Sequence, residues 1–174
     1  MSELSDFRIT KDKLFGHDQQ SPLTPDQRKK FAGLSYYPEN PGLAFAVEFA
    51  EEAKEVIEMV TSIGGSASPL RRGDAEFEVE GTPATLVVCR GLDSEELFLP
   101  LMDGTSGSAT YSGGRYLDLI ELSDGFTLVD FNYAYNPYCA YNPHWICPIP
   151  PPENRLAVPI EAGEKAFPGA IGHL

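Results

Sequence analysis

The spacing of apolar residues changes period along the chain. Leu4, Phe7, Lys11, Leu14 and Phe15 recur at helical intervals, which predicts a short helix ending near Gly16 and His17. Thr24-Pro25-Asp26 reads as a second helix start, a capping residue followed by proline at the first helical position, running through Gln27 to Phe31 and closing at Gly33. Tyr36-Tyr37-Pro38-Glu39-Asn40-Pro41-Gly42 cannot continue it, because each proline biases its predecessor away from the α region. Further on the period drops to two. Ala75, Phe77 and Val79 alternate with Glu76, Glu78 and Glu80, a strand with one wet face. A turn at Gly81-Thr82-Pro83 leads into the apolar run Thr85–Cys89, and Glu96–Leu101 makes another strand. Arg115–Leu122 and Phe126–Asn132 flank Ser123-Asp124-Gly125, the strongest hairpin signal in the chain.

Residues 43–63 fit two periods at once. Phe45, Phe49, Ala53, Val56, Ile57 and Val60 keep helical spacing, yet Phe45, Val47 and Phe49 alternate and several positions are β-branched. After residue 132 prolines at 137, 143, 148, 150, 151, 152, 159 and 168 favour extended, polyproline-like chain. Within it Ala134-Tyr135-Asn136-Pro137 recurs six residues later as Ala140-Tyr141-Asn142-Pro143, which in extended chain returns both tyrosines to one face.

Length and composition narrow the class. A chain of 174 residues, 42% apolar and 11% aromatic, predicts one domain over residues 1–174 with a real core. Its parts are a helical and turn-rich segment (1–42), an antiparallel β core (43–132) and a proline-rich extended tail (133–174) packed on that core. No run of about 18 apolar residues occurs and the N-terminus lacks a leader pattern, so a cytoplasmic protein without membrane contact is expected. The net charge of −13 repels phosphate backbones and argues against a nucleic-acid partner. Three cysteines, Cys89, Cys139 and Cys147, are an odd number for a disulfide framework.

Three strings occur in order: Phe98-Leu99-Pro100-x-x-Asp103-x-Thr105-Ser106-Gly107, Tyr111-x-Gly113-Gly114-Arg115-Tyr116-Leu117-Asp118, and Asp130-Phe131-Asn132-x-Ala134-Tyr135-Asn136-Pro137. They continue into Cys139-Ala140-Tyr141, Cys147-Pro148-x-Pro150-Pro151 and Asn154-Arg155-Leu156, with Ser21-Pro22-Leu23 and Phe31-x-Gly33-Leu34-x-Tyr36 upstream. This pattern resembles the prokaryotic family called domain of unknown function 1684. The resemblance implies β structure after the tyrosine-proline turn, hence strands at 43–50 and 55–62 around a Glu51–Lys54 turn. It implies no activity. The fold expected is mainly β within the α+β class: an antiparallel sandwich or partly closed barrel, with two short N-terminal helices and the proline-rich tail.

Chemistry concentrates around Arg115. A two-residue hairpin loop makes paired residue numbers sum to 249 and a four-residue loop to 247; both put Arg115, Asp130 and Asn132 on one sheet face. A three-residue loop would set Asp118 against Asp130, which like-charge repulsion disfavours. Arg115 then has two readings. It either grips an anionic group in a pocket, or ties the carbonyls of the proline-rich tail to the sheet with its five donors. The pocket version makes the protein a binder of a small organic ligand, anions included. Its site would comprise Arg115, Asn132, Tyr135, Asn136 and Tyr141, with Asp103 and Thr105 in the covering loop. A hydrolase or lyase using Asp118 or Asp130, with Arg115 as charge stabiliser, is the second hypothesis; Asp103 and Glu164 are the other carboxylate candidates. A structural or interaction module is the third. No cofactor is called for. Cys139, His144 and Cys147 are weak metal candidates, because their spacing is no zinc knuckle; a facultative Cys139–Cys147 disulfide and plain reduced thiols are the competing readings.

Overall fold

In the computed structural model, which describes residues 2–48 and 55–171, the first helix, α1, spans Glu3–His17. Ser2 caps it by accepting from the Ser5 N–H, and Leu4 and Phe15 are buried on its inner face. Helix α2 (Pro25–Lys30) begins with a reciprocal box, in which Thr24 and Gln27 each bond the other's backbone N–H. Asp26 in its first turn and Arg28, Lys29 and Lys30 in its last complement the helix dipole.

Ten strands follow among the described residues: β1 (Ala44–Val47), β2 (Glu55–Val56), β3 (Met59–Val60), β4 (Ser66–Ala67), β5 (Leu70–Val79), β6 (Thr82–Arg90), β7 (Leu97–Leu101), β8 (Arg115–Asp118), β9 (Ile120–Glu121) and β10 (Thr127–Asp130). They form a five-stranded sheet in the order β2-β5-β6-β7-β8, a three-stranded sheet β1-β10-β9 and the pair β3-β4, all antiparallel and none closed into a barrel. The mainly-β, α+β expectation therefore holds in its sandwich form. Strand formation wins over the helical spacing at 44–47 and 55–60, although the expected strand 55–62 is split between β2 and β3, which have different partners. Positions 49–50 and the Glu51–Lys54 turn lie outside the described residues.

Two sequence-based expectations need correction. The β5–β6 turn is Glu80-Gly81, not Gly81–Pro83: both residues have positive φ (49° and 81°), the geometry of a tight two-residue hairpin, and Val79 pairs with Thr82. Pro83 falls inside β6, at a level where β6 has no ladder on its far side and needs no donor there. The Asp124 hairpin uses the disfavoured three-residue loop, with Thr127 opposite Glu121 and Leu128 opposite Ile120. Gly125 (φ 87°) supplies the left-handed residue that such loops require. The repulsion argued against this register never arises, because the chain changes sheets at Leu119. Upstream of it β8 pairs with β7, Asp118 opposite Phe98 and Arg115 opposite Leu101. Only Ile120-Glu121 joins β10.

The core lies between the two larger sheets. Ala75, Val79, Leu86, Val88, Leu99, Leu101 and Leu117 face Val47 and Val129, while Phe131, Ile160 and Ala162 close the ends. Phe45, Phe77 and Phe131 pack with ring centroids 5.0–6.3 Å apart and tie β1 to β5. A second cluster of Phe15, Leu23 and Tyr141 fastens the helices to the tail. The tail is not continuously extended. Short 3₁₀ turns at Phe131–Tyr133, Tyr138–Ala140 and Pro152–Asn154 interrupt it, so the six-residue repeat does not run as a straight strand. No helix among the described residues is long and apolar enough to cross a membrane.

Candidate functional site

Arg115 opens β8 with its side chain wholly buried. Nη1 donates to the carbonyls of Ala162 (2.5 Å) and Glu164 (3.2 Å); Nη2 donates to the Ile160 carbonyl and to Asp103 Oδ2, both at 2.9 Å. Asp103 Oδ1 accepts from the Thr105 N–H and hydroxyl (2.8 and 2.7 Å) and from the Ile160 N–H (3.0 Å). Of the two readings of this arginine, the geometry matches the tether. An anion could reach the guanidinium only after residues 160–164 had left. Arg115, Asp130 and Asn132 do not share a hairpin face, since β8 belongs to the other sheet.

The buried Asn132 and Glu164 side chains also find partners inside the protein. Asn132 clips the Asn40 turn, its Nδ2 donating to the Asn40 carbonyl (2.9 Å) and its Oδ1 accepting from the Asn40 N–H (2.7 Å). Glu164, fully buried, accepts from Lys11 Nζ (2.7 Å), the Asn136 side-chain amide (3.0 Å) and the Tyr141 hydroxyl. Burial, reinforced by the Glu164 carboxylate, holds the Tyr141 phenol well above its ordinary range.

Tyr135, Asp118 and Asp130 meet elsewhere. They line a cavity of about 720 Å³ over the seam where the chain passes from one sheet to the other. One wall is α1, whose Glu3, Phe7, Lys11 and Leu14 lie along a single face. The opposite wall is Leu117, Ile120 and Leu128, and Tyr133, Tyr135 and Tyr138 frame the side. Asp118 is exposed and accepts from the Tyr135 hydroxyl (2.8 Å); burial first, and then Asp118, push the Tyr135 phenol up. Asp130, half-buried, caps the following turn through the Asn132 N–H (3.0 Å). Lys11 Nζ lies 5.0 Å from the Tyr135 ring centroid and 5.5 Å from that of Phe15. Arg115 is not part of this cavity, so the carboxylate pair lacks the cation assigned to it in the hydrolase or lyase scheme.

Cys139 is buried, Cys147 half-buried and both are free thiols. Cys139 and Cys147 line one hollow, and the Tyr111 hydroxyl lies 3.7 Å from Cys139 Sγ. The neighbouring Cys139 thiol, and after it the backbone at Cys139 and Tyr138, lower the Cys147 thiol to about 6 against the opposing effect of burial. The neighbouring Cys147, together with burial, raises Cys139. Burial pushes the Cys89 thiol up to about 12. His144 is exposed, and among the described residues no group of three His, Cys, Asp or Glu side chains is placed to hold a metal.

Sequence reasoning missed the α1 wall. Phe7 and Lys11 were legible as a helix face, but a single helix period does not say which surface that face covers. Tyr133 and Tyr138 carried no signal of their own.

No curated protein matches the chain. The solution NMR structure of an uncharacterised protein from gene locus rrnAC0354 of Haloarcula marismortui is similar, with a TM-score of 0.72 and 36% identity over 94% of this chain and 92% of that one. The model of the family described as protein of unknown function DUF1684 matches residues 29–165, and the chain belongs to that family.

Proposed function

We propose that the protein binds a small aromatic molecule, neutral or cationic, in the cavity between α1 and the sheet seam. The observation that carries this reading is the cavity's size and lining. About 720 Å³ lies within the roughly 300–1,000 Å³ typical of small-ligand sites. Its walls are aromatic and aliphatic, and three carboxylates (Glu3, Asp118, Asp130) stand against one lysine whose charge Glu164 already balances. An aromatic frame with surplus negative charge favours a cation through ring faces and carboxylates together. This reverses the charge that an Arg115 site would select.

The test is an NMR titration with benzyltrimethylammonium and with benzoate as matched probes. Amide shifts around α1 and residues 117–138 with the cation, saturating in the millimolar range, support the reading. They should weaken several-fold in Asp118→Asn. Shifts with benzoate alone, or with neither probe, would sink it.

A further inference from the structure

Cys139 and Cys147 share a different place, one hollow at the foot of the tail. Cys147 is held by the β3–β4 turn: its carbonyl accepts from the Ser62 N–H (2.9 Å) and its own N–H donates to the Ser62 hydroxyl (3.3 Å). The 3₁₀ turn Tyr138–Ala140 presents Cys139 to the same hollow from the tail side. The Ser62 bonds and the 3₁₀ turn therefore hold both cysteines at one hollow. They differ in access, Cys139 being buried and Cys147 half-open. Both line a hollow of about 300 Å³ whose rim includes Tyr111, Gly113, Trp145 and Arg155. A half-exposed cysteine and a buried one beside the same pocket are the arrangement that attacking and resolving cysteines need. The exposed Arg155 and Trp145 suit a partner that carries carboxylates on an organic frame.

We propose that Cys147 and Cys139 form a reversible dithiol–disulfide couple that exchanges with an anionic small-molecule disulfide admitted by this hollow. The Cys147 thiolate attacks one sulfur of the incoming disulfide. That S–S bond breaks, a mixed disulfide forms on Cys147, and the first small thiolate leaves, taking the proton of the Cys139 thiol. Cys139 then attacks Cys147 Sγ, the Cys139–Cys147 bond forms and the second small thiolate departs. Two protein thiols are oxidised by two electrons, and one small disulfide is reduced to two thiol equivalents. The lowered Cys147 thiol supplies the nucleophile at neutral pH.

The experiment uses the intact chain at pH 7 with glutathione disulfide, iodoacetamide and peptide mass mapping. Short alkylation pulses should modify Cys147 at least ~10-fold faster than Cys139 or Cys89. With glutathione disulfide the unaltered chain should end as the Cys139–Cys147 disulfide and retain no glutathione. Cys139→Ser should stop at one glutathione on Cys147, and Cys147→Ser should form neither product. The proposal fails if the unaltered chain stays reduced, if the three cysteines alkylate alike, or if the bridge involves Cys89. Because the first two arms use the unaltered chain, poor folding of a serine variant does not remove the test.

Discussion

The side-chain amide of Asn154 stands in for a backbone bond that Pro100 cannot make. Paired residues in the β6–β7 ladder sum to 187 (Cys89 with Phe98, Arg90 with Leu97), which sets Val87 opposite Pro100. Pro100 has no N–H to offer. Asn154, fully buried, instead donates from Nδ2 to the Pro100 carbonyl (2.7 Å) and the Val87 carbonyl (2.9 Å), and accepts the Val87 N–H at Oδ1 (2.7 Å). Asn154→Ala strands one donor and two acceptors, each costing about 1–3 kcal/mol when buried without a partner. A loss near 3 kcal/mol in urea denaturation is expected. Asn154→Asp should lose a similar amount, since a carboxylate cannot donate to either carbonyl.

Arg115 and Asp103 make a different prediction from the one a ligand-binding arginine would make. Both side chains are fully buried 2.9 Å apart. Removing one partner of such a pair typically costs about 3–5 kcal/mol, because the other charge is left without compensation. Arg115→Ala should fall by that amount in chemical denaturation. Arg115→Lys should recover only part of it, since one ammonium cannot serve three carbonyls and a carboxylate in the geometry of the guanidinium. An unchanged denaturation midpoint for Arg115→Ala would refute the tether.

What the sequence made legible was local. The alternation at Ala75, Phe77 and Val79 and the Thr24 cap with proline behind it depend on near neighbours, and both elements formed where their residues pointed. The tether of Arg115 to the tail carbonyls was legible as one of two readings, but the residues did not decide between them, because the carbonyls lie 45–49 residues away and leave no trace in residue identity. The hairpin failed for a related reason. Register arithmetic assumes two strands that stay paired, and nothing in Arg115–Leu122 announced that its first half would leave for β7. Lys11 and Glu164 lie 153 residues apart, and the α1 wall of the cavity depends on that meeting.

Two glycines separate conformational strain from collision. Gly163 (φ 73°) and Gly125 (φ 87°) both occupy the left-handed region, where a side chain costs about 1–2 kcal/mol. A Cβ on Gly125 meets nothing within 4 Å, whereas on Gly163 it falls 2.6 Å from the Ala134 carbonyl oxygen and 2.7 Å from that of Phe131. Gly125→Ala should lower stability by the conformational cost alone. Gly163→Ala should lose at least twice as much and loosen the tail, since the Glu164 N–H bonds the Ala134 carbonyl at that point. Thermal melts of the two variants, with amide exchange at residues 160–165, check both.

Alkaline pH should unfold the protein through its phenols. Burial raises Tyr36, Tyr116, Tyr135 and Tyr141, and carboxylates beside Tyr36, Tyr135 and Tyr141 add to it. In the unfolded chain these groups lose protons near pH 10 while the folded chain still holds them. The unfolded state then binds fewer protons, so stability is intact below pH 10 and falls as pH rises above it. Tyrosinate absorbance should show these four phenols ionising together with loss of the near-ultraviolet dichroism. Independent ionisation in a still-folded chain would contradict the burial argument.

Glu164 sets the charge that the cavity presents. Its Oε2 lies 2.7 Å from Lys11 Nζ, and that ammonium also faces the Tyr135 and Phe15 rings at the cavity wall. Glu164→Gln keeps the shape and most hydrogen bonds but removes the anion, leaving Lys11 as an uncompensated cation at the cavity wall. Lys11 retains some solvent access and can turn toward the cavity mouth, so the stability loss should stay near ~1–3 kcal/mol, below that of a sealed pair. Probe preference should change sides: benzyltrimethylammonium weakens and benzoate, excluded before, gains a partner. Lys11→Met added to Glu164→Gln removes the stranded charge and should restore the preference for the cation. If the single variant keeps its original preference in the same NMR titration, Lys11 does not act on the cavity, and the ligand charge must be set by Asp118, Asp130 and Glu3 alone.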